Sequence, residues 1–257
     1  MDRKYLFDEI VLNYEKSRPC YSPQLLEDII SYANLAENQS AIEIGCGTGK
    51  ATEPFLKTNC KITAIELGKN MASYTREKFR NYTNFEIVEV PFEDYVCAEN
   101  QFDLLYSATA FHWIEPEIGY RKAYRIIKSG GTLALFWNRP SVNDRDNPLH
   151  QKIQSIYHKF LPQWDEKAKV DRAAQQKRIR NQITEYGFTD LAFHLYPNTR
   201  TMTGEEYVEL LNTYSDHRAL NDRIRVPFYH AVRTVIEEYG NELEIEDTQD
   251  LYLAHKP

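Results

Sequence analysis

The sequence predicts an α/β protein built on a mostly parallel sheet, and two observations support that prediction. Short apolar segments alternate with amphipathic segments between about residue 40 and residue 140. At 41–57 an apolar segment runs into three glycines at alternate positions, and a helix-like segment follows at once. A strand, a glycine turn and a helix in immediate succession are typical of nucleotide-binding βαβ units.

Length and composition fit a single globular α/β domain. The chain has 257 residues, of which 42% are hydrophobic and 27% charged, and its formal net charge is −7 with both signs interspersed. A tight nucleic-acid binder is more often basic, so we expect no nucleic-acid partner. The cysteines are widely spaced and form no Cys-x-x-Cys pair, which argues against a zinc site or a disulfide framework. They are Cys20, Cys46, Cys60 and Cys97.

The sequence shows no sign of a membrane or secreted protein. No segment approaches the roughly 18 uninterrupted apolar residues of a membrane span. The first residues, 1–9, mix charges and lack an apolar run, so we expect no secretion signal. No group of histidine, cysteine and carboxylate residues has metal-ligand spacing. We therefore expect a cytoplasmic protein with no metal and no membrane partner.

The segment before the glycines is rich in aromatic residues and arginine. It contains Phe7, Tyr14, Arg18, Pro19 and Tyr21. Serine and proline at 22–23 predict a helix start, and the leucines and isoleucines at 25–30 predict its buried face. The aromatics either pack the first helix against the sheet or form a lid over a ligand.

The glycine segment carries Glu43, Gly45, Gly47 and Gly49 in the order acid-x-G-x-G-x-G. Glycine is expected there because a ligand against the backbone would leave no space for a Cβ. This pattern resembles the first motif of class I S-adenosylmethionine-dependent methyltransferases. The resemblance implies that Glu43 and the loop backbone, including Thr48, hold the methionine part of that cofactor. The run before the glycines also resembles the family, and implies cofactor contacts at Tyr14 and Arg18.

The resemblance implies the fold in more detail. It is a Rossmann-like, doubly wound sheet of seven mostly parallel strands, with the last strand antiparallel and a helical cap. We expect one domain over 1–257, divided into an N-terminal lid and helix at 1–36, a cofactor-binding core at 37–140, and a cap with the final strands at 141–257.

The second strand, Lys61 to Glu66, ends in an acid. A carboxylate at that point is placed to accept hydrogen bonds from both ribose hydroxyls, and the alternative is a solvated strand end. A helix is predicted over Leu67 to Arg80. Met71 on this helix either lines the cofactor site or packs in the core.

The third strand, Phe85 to Val90, is followed by Pro91, Phe92 and Glu93. The resemblance implies that this turn flanks the adenine. Pro91 stands where a serine or aspartate is frequent in the family. We expect the Phe92 N–H to meet a ring nitrogen, the Phe92 side chain to offer a face to the base, and Glu93 to accept from the exocyclic amine.

The fourth strand, Gln101 to Ser107, continues into an Ala-Thr-Ala-Phe-His-Trp segment at 108–113. This region resembles the subgroup that includes trans-aconitate methyltransferase. The carboxyl end of the strand, at Ser107 and Ala108, is expected to face the donor methyl. His112 is the candidate general base, with a structural hydrogen-bonding role as the alternative. Candidate acceptor contacts are Phe111, Trp113 and Trp137.

A helix is predicted over Glu115 to Lys128, closed by a glycine turn at 129–131, and Thr132 to Trp137 is the fifth strand. Later helices are predicted at 147–160, 171–186 and 221–239. A capping box at 203–206 predicts another helix. A strand is predicted at 188–196 and a last edge strand at 250–255. Tyr214 and His217 either contact the acceptor or form a helix-terminus cluster.

The sequence predicts an active methyltransferase that acts on an O, N or C nucleophile of a small molecule, with S-adenosylhomocysteine as the second product. Two other classes compete with this interpretation. One is a methyltransferase-like binding module without catalysis, which would not need to keep the glycines and Glu66. The other is an NAD-dependent oxidoreductase, which the G-x-G-x-G spacing and the Phe-His-Trp segment disfavour.

Overall fold

A computed structural model describes residues 10–164 and 171–257. Helices and strands alternate along the first half of the chain, as the sequence predicts. In chain order the elements are α1 (Val11–Ser17), α2 (Pro23–Tyr32), β1 (Ser40–Ile44), α3 (Thr52–Leu56), β2 (Lys61–Glu66), α4 (Lys69–Lys78), β3 (Phe85–Glu89), β4 (Phe102–Ala108), α5 (Pro116–Ile126), β5 (Ile127–Ser141), α6 (Pro148–Phe160), α7 (Arg172–Glu185), β6 (Thr189–Tyr196), β7 (Thr199–Met202), α8 (Gly204–Leu211), α9 (Ser215–Arg218), α10 (Asp222–Glu238) and β8 (Leu243–His255).

The strands join in the order β3-β2-β1-β4-β5-β8-β6, and β7 pairs with β8 off this path. Strands β1 to β5 are parallel, whereas β6 and β7 are antiparallel to β8. The sheet reverses its strand order between β1 and β4, and ligands of open α/β sheets bind at the carboxyl ends beside such a reversal. The predicted fold class is confirmed, with eight strands among the described residues where seven were expected.

The fifth strand begins earlier than the sequence predicts. Helix α5 ends at Ile126, and β5 starts at the next residue, so the expected glycine turn at 129–131 lies inside the strand. The register against β4 slips there, because Phe102 pairs with Ile127 while Leu104 pairs with Thr132. An irregularity in the strand register therefore stands where the helix-ending turn was predicted.

The last strand is not an edge strand. The sequence predicts a short edge strand at 250–255, but β8 is 13 residues long and lies between β5 and β6. An alternating pattern of apolar and polar residues cannot by itself distinguish an edge strand from an interior strand. The position of a strand in the sheet depends on which other strands pair with it. The other predicted late elements are present, including the capping box of Thr203 and Glu206 on α8, whereas β7 and α9 were not predicted.

The chain forms two compact units, which the sequence does not separate. The described residues of the first unit fall within Met1–Arg18, Arg139–Gln175 and Pro197–Thr248. Those of the second unit, which contains β1 to β4, fall within Pro19–Asn138, Gln176–Tyr196 and Gln249–Pro257. The predicted boundary at residue 140 is close to a unit boundary, whereas the predicted lid at 1–36 is divided between the units. The placement of a cap over the sheet stays a prediction.

Each unit has its own apolar core. In the second unit two clusters cover the sheet, one containing α2 and α3 residues and the other containing α5 and α7 residues. In the first unit, residues of α6, α8 and α10 form a third cluster with the first part of β8. Phe7, which belongs to the predicted aromatic segment, and the rest of 1–9 lie outside the described residues. Within 10–164 and 171–257, no helix has the length and hydropathy needed to span a bilayer.

Candidate cofactor and acceptor site

The glycine loop, residues 45–49, follows β1 and leads towards α3. Gly45, Gly47 and Gly49 all have positive φ, at 67°, 55° and 76°. A Cβ on Gly45 would lie 2.4 Å from the Ala110 Cβ, and one on Gly49 would lie 2.4 Å from the Phe79 ring. The expectation that a ligand occupies the Cβ space is therefore wrong for Gly45 and Gly49. Left-handed backbone and the protein's own packing require glycine there.

Glu66 ends β2 and holds the glycine loop. Its carboxylate accepts a hydrogen bond from the Gly47 N–H and another from the Gly68 N–H, each at 2.8 Å. Gly68 is the N-cap residue of α4, so one anion joins the loop to the start of the next helix. A carboxylate can accept about four hydrogen bonds. The ribose role of Glu66 stays a prediction.

Glu43 lies in β1 and is completely buried. Its Oε2 accepts hydrogen bonds from the Thr52 hydroxyl at 2.6 Å and the Tyr106 hydroxyl at 2.9 Å. Burial raises the pKa of Glu43 to about 7, and the neighbouring charge of Glu66 acts in the same direction. Oε1 has no hydrogen-bond partner among the described residues. A buried carboxyl oxygen of this kind can accept a hydrogen bond from a ligand.

Thr48, in the glycine loop, is a second polar side chain with a buried atom that has no hydrogen-bond partner among the described residues. The residue is 1% exposed, and the atom is its hydroxyl oxygen. The loop backbone beside it is held from α4, because the Thr75 hydroxyl donates to the Gly47 carbonyl and the Lys78 ammonium to the Thr48 carbonyl. Unsatisfied buried polar atoms at Glu43 and Thr48 fit a site that receives the polar end of a cofactor.

The β3 loop, residues 91–95, contains a short 3₁₀ turn at Phe92–Asp94. The Phe92 ring is 3% exposed and belongs to the core cluster of the second unit. The apolar ring is more stable packed in the core than exposed to water, and its contact with the base stays a prediction. The roles of the Phe92 N–H and of Glu93 stay predictions.

The carboxyl end of β4 is mostly closed by the protein itself. Ser107 is completely buried, and its hydroxyl donates to the Ile44 carbonyl on β1 at 2.9 Å. The side chain of Ser107 is therefore committed to the sheet, which leaves backbone groups and Ala108 for the predicted donor contact.

Met71 is buried on the inner face of α4, which favours the core-packing alternative for this residue.

His112 follows β4 on a 3₁₀ turn and is exposed. The Trp137 indole N–H donates to His112 Nδ1 at 3.1 Å. An indole nitrogen is only a donor, so Nδ1 must carry a lone pair and neutral His112 must carry its proton on Nε2. Trp137 is 4% exposed and its indole orients His112, while its expected contact with an acceptor stays a prediction.

The other aromatic residues divide between core and surface. Phe111 is buried and packs edge-on against Tyr120, and its acceptor contact stays a prediction. Trp113 is 37% exposed, with its ring centroid 5.2 Å from that of His112. His112 and Trp113 are therefore the members of the Phe-His-Trp segment that face solvent.

Four predicted site residues belong to the first unit. The Arg18 guanidinium donates to the Thr213 carbonyl and lies 4.4 Å from the Tyr214 ring centroid and 5.2 Å from that of Tyr14. The cofactor roles of Tyr14 and Arg18 and the acceptor role of Tyr214 stay predictions.

His217 is buried, with Nε2 hydrogen-bonded to Tyr157 and Nδ1 to Asp216. Both ring nitrogens are thus satisfied within the unit. This favours the helix-terminus alternative, and the acceptor contact of His217 stays a prediction.

Several residues of the site carry only weak sequence signals. Lys122 lies among the inward-facing positions of α5. A lysine on an apolar helix face is the sequence feature that could have pointed to it. Tyr106 is a hydroxyl in the middle of a buried strand, which predicts a buried partner. Thr109 has a left-handed backbone, φ 57°, and its hydroxyl contacts the Tyr21 hydroxyl at 2.8 Å and the Asn138 N–H at 3.3 Å. Nothing in the sequence pattern points to Thr109.

Comparison with known proteins agrees with this geometry. Residues 42–135, which contain the glycine loop, Glu66 and the β4 segment, match the family described as a methyltransferase domain. An uncharacterised methyltransferase of Schizosaccharomyces pombe is 26% identical over 81% of this chain and 78% of its own length. A second fission-yeast protein, described as methyltransferase-like, is 28% identical over 81% of this chain and 77% of its own.

A solved structure shows the same fold. Phosphoethanolamine N-methyltransferase 2 of Haemonchus contortus, solved in complex with S-adenosyl-L-methionine, superposes with a TM-score of 0.56 at 13% identity. The match covers 97% of this chain and 57% of that one. The strand order, the glycine loop and the family match together define an α/β methyltransferase fold. The match over residues 42–135 and the methyltransferase relatives support a class I S-adenosylmethionine-dependent methyltransferase.

Proposed function

We propose that this protein transfers a methyl group from S-adenosylmethionine to an O, N or C nucleophile of a small molecule. The observation that carries the proposal is the position of Glu66 at the carboxyl end of β2, where its carboxylate gathers the N–H groups of Gly47 and Gly68. The glycine loop, the acid and the start of α4 thus meet at one point. The unpaired buried atoms of Glu43 and Thr48 lie in the strand and loop that lead to it.

In this proposal, different residues of the second unit bind different parts of the cofactor. Glu66 binds the ribose hydroxyls, the β3 loop faces the adenine, and Glu43, Thr48 and the glycine-loop backbone face the methionine part. When bound, S-adenosylmethionine supplies a methyl carbon on a positively charged sulfur. The protein then contributes orientation and exclusion of water more than chemistry. Exposed aromatic faces such as Trp113 can stabilise the positive charge.

We propose that His112 acts as an N–H donor to the acceptor and does not remove its proton. Accepting a proton at Nδ1 would cost the hydrogen bond from Trp137, and Nε2 already carries the proton of the neutral ring. A donor at Nε2 can hold an oxygen of the acceptor in line with the donor methyl. Under this proposal the acceptor atom is one that is already unprotonated at neutral pH.

The pH dependence of methyl transfer tests the role of His112. A general base with the ordinary histidine pKa of about 6.5 makes kcat/KM rise across that pH, and His112→Asn would remove the rise. A donor leaves the wild-type profile flat between about pH 6 and 8, and His112→Asn lowers the rate by a similar factor at every pH. A rise in the wild type that disappears in the variant would overturn the donor role.

Calorimetry tests the proposed cofactor. We expect S-adenosylmethionine and S-adenosylhomocysteine to bind with micromolar affinity and NAD not to bind. Glu66→Gln should weaken binding at least tenfold, because an amide offers one acceptor oxygen where the carboxylate offers two. Glu86→Gln is the matched control, since Glu86 lies on the neighbouring strand and contacts Thr63. Equal binding by the Glu66 variant and wild type would refute the site, and binding of NAD alone would favour an oxidoreductase.

Binding without turnover identifies the remaining alternative, a methyltransferase-like binding module. Incubation with labelled S-adenosylmethionine and a panel of small carboxylic acids, phenols and amines measures transfer directly. We expect label in at least one class of acceptor. Micromolar binding with no transfer across the panel would favour the silent module.

A further inference from the structure

The β3 loop is held by one buried cation. Lys122 lies on the inner face of α5 and is only 9% exposed. Its ammonium donates to the carbonyls of Phe92 at 2.6 Å and Glu93 at 2.9 Å, and to that of Tyr95. An ammonium has three donors, so these three carbonyls use all of them. Lys122 also lies 5.1 Å from the Phe92 ring centroid.

Burying the Lys122 ammonium costs free energy, so its contacts with the β3 loop must offset that cost. Burying an ammonium is unfavourable, and burial accordingly lowers the pKa of Lys122. The three hydrogen bonds offset that cost by satisfying carbonyls of the β3 loop, although the Phe92 carbonyl also accepts from the Tyr95 N–H at 3.3 Å. A hydrophobic residue would fill the same position on α5, as Ala123 and Ile126 do nearby, without any such penalty. What the lysine adds is a fixed orientation of the β3 loop backbone.

The fixed orientation determines where the loop's N–H groups point. In a 3₁₀ turn the carbonyls point towards its end and the N–H groups towards its beginning, where the first ones have no acceptor within the turn. Lys122 therefore holds the carbonyl side, and the N–H groups of Phe92 and Glu93 face the opposite direction. The loop also starts beside Glu66, because the Val90 N–H donates to the Glu66 carbonyl at 3.0 Å.

We propose that Lys122 is a positioning residue for base recognition, which clamps the β3 loop so that its N–H groups read the purine of a nucleoside bound at Glu66. The inference rests on the proposed function, since it takes Glu66 as the ribose ligand. Lys122 itself does not touch the nucleoside, because its three donors are spent on the loop. It acts only through the backbone that it holds.

Calorimetry with Lys122→Met tests this role. S-adenosylhomocysteine and its 6-oxo analogue S-inosylhomocysteine differ only at the purine, so the ratio of their dissociation constants measures base recognition. We expect wild type to prefer the adenine form at least tenfold, and Lys122→Met to lose most of that preference while its affinity for S-adenosylhomocysteine falls about tenfold. Arg121→Met is the control, because Arg121 is the exposed neighbour on α5 and pairs with Glu117.

The outcomes separate the two proposals. Failure of wild type to bind S-adenosylhomocysteine would overturn the proposed function and this inference together. Wild-type binding with an unchanged ratio in Lys122→Met would overturn the positioning role alone, and so would an equal loss of affinity for both ligands, which is the result expected of general destabilisation. If the methionine variant does not fold, Lys122→Arg replaces it. A planar guanidinium cannot direct donors to three converging carbonyls, so this variant should also lose base preference.

Discussion

The glycine loop and the β3 loop are organised by opposite charges. In the glycine loop the Glu66 carboxylate collects the N–H groups of Gly47 and Gly68. In the β3 loop the Lys122 ammonium collects the carbonyls of Phe92, Glu93 and Tyr95. An anion that orders N–H groups keeps acceptor capacity for a ligand, whereas an ammonium with three carbonyls has no donor left. Under our two proposals the first charge serves structure and binding together, and the second serves binding only through structure.

The two loops also differ in how much of their shape comes from local sequence. The glycine loop has three glycines at alternate positions, all with positive φ. Side chains of the protein occupy the Cβ space beside two of them. The β3 loop has ordinary backbone angles and takes its shape from a helix 30 residues further along the chain. Damage to the glycine loop should therefore affect stability strongly, and damage to the β3 loop should affect recognition more than stability.

The largest expected effect is that of Gly45→Ala. The new Cβ would meet the Ala110 Cβ, which cannot move without its backbone, and the residue would also need a left-handed φ. Strain and overpacking together should lower the free energy of unfolding by about 4 kcal/mol. Gly130→Ala is the matched control, since Gly130 has φ 77° with nothing within 4 Å of its Cβ position. Denaturant melts of both variants that gave equal losses would show that packing against Ala110 contributes nothing.

Glu43→Gln should make the protein more stable at high pH. With a folded pKa of about 7 against an ordinary 4.5, wild-type Glu43 is protonated in the folded chain and ionised in the unfolded chain between those values. The free energy of unfolding therefore falls as pH rises through that window, by up to about 3 kcal/mol. The glutamine variant escapes this loss, so its advantage over wild type should grow from pH 4.5 to pH 7 and then stay constant.

Denaturant melts from pH 4 to pH 8 measure that advantage. A constant difference between Glu43→Gln and wild type would show that Glu43 is already ionised in the folded chain at pH 5. Calorimetry on the same variant adds a second test, because the proposed site predicts weaker S-adenosylhomocysteine binding despite the higher stability.

A pair of threonine variants gives the smallest effects, with opposite signs. Thr75→Val removes the hydrogen bond to the Gly47 carbonyl and should cost about 1 kcal/mol. Thr48→Val replaces a buried hydroxyl without a partner among the described residues and should stabilise the protein by about 1 kcal/mol. Thermal melts distinguish the two, and S-adenosylhomocysteine binding should weaken in Thr48→Val. Destabilisation by both variants would mean that Thr48 has a structural partner.

The sequence by itself determined the order of strands and helices, the glycine loop and the acid at the end of β2. These features depend on local chemistry, namely hydrophobic periodicity, glycine at positive φ and a carboxylate after an apolar strand. The observed strand order confirms the predicted sheet of the class I methyltransferase fold.

Only the tertiary structure decided which side chains are buried and what they contact. Phe92, Phe111 and Trp137 have aromatic side chains suited to ligand contact, but the core takes their rings, because burying a large apolar side chain is worth more than leaving it exposed. Lys122 becomes a loop clamp because α5 brings it to carbonyls about 30 residues earlier in the chain. Such pairings join residues distant in sequence, and their partners are set by packing and not by local pattern.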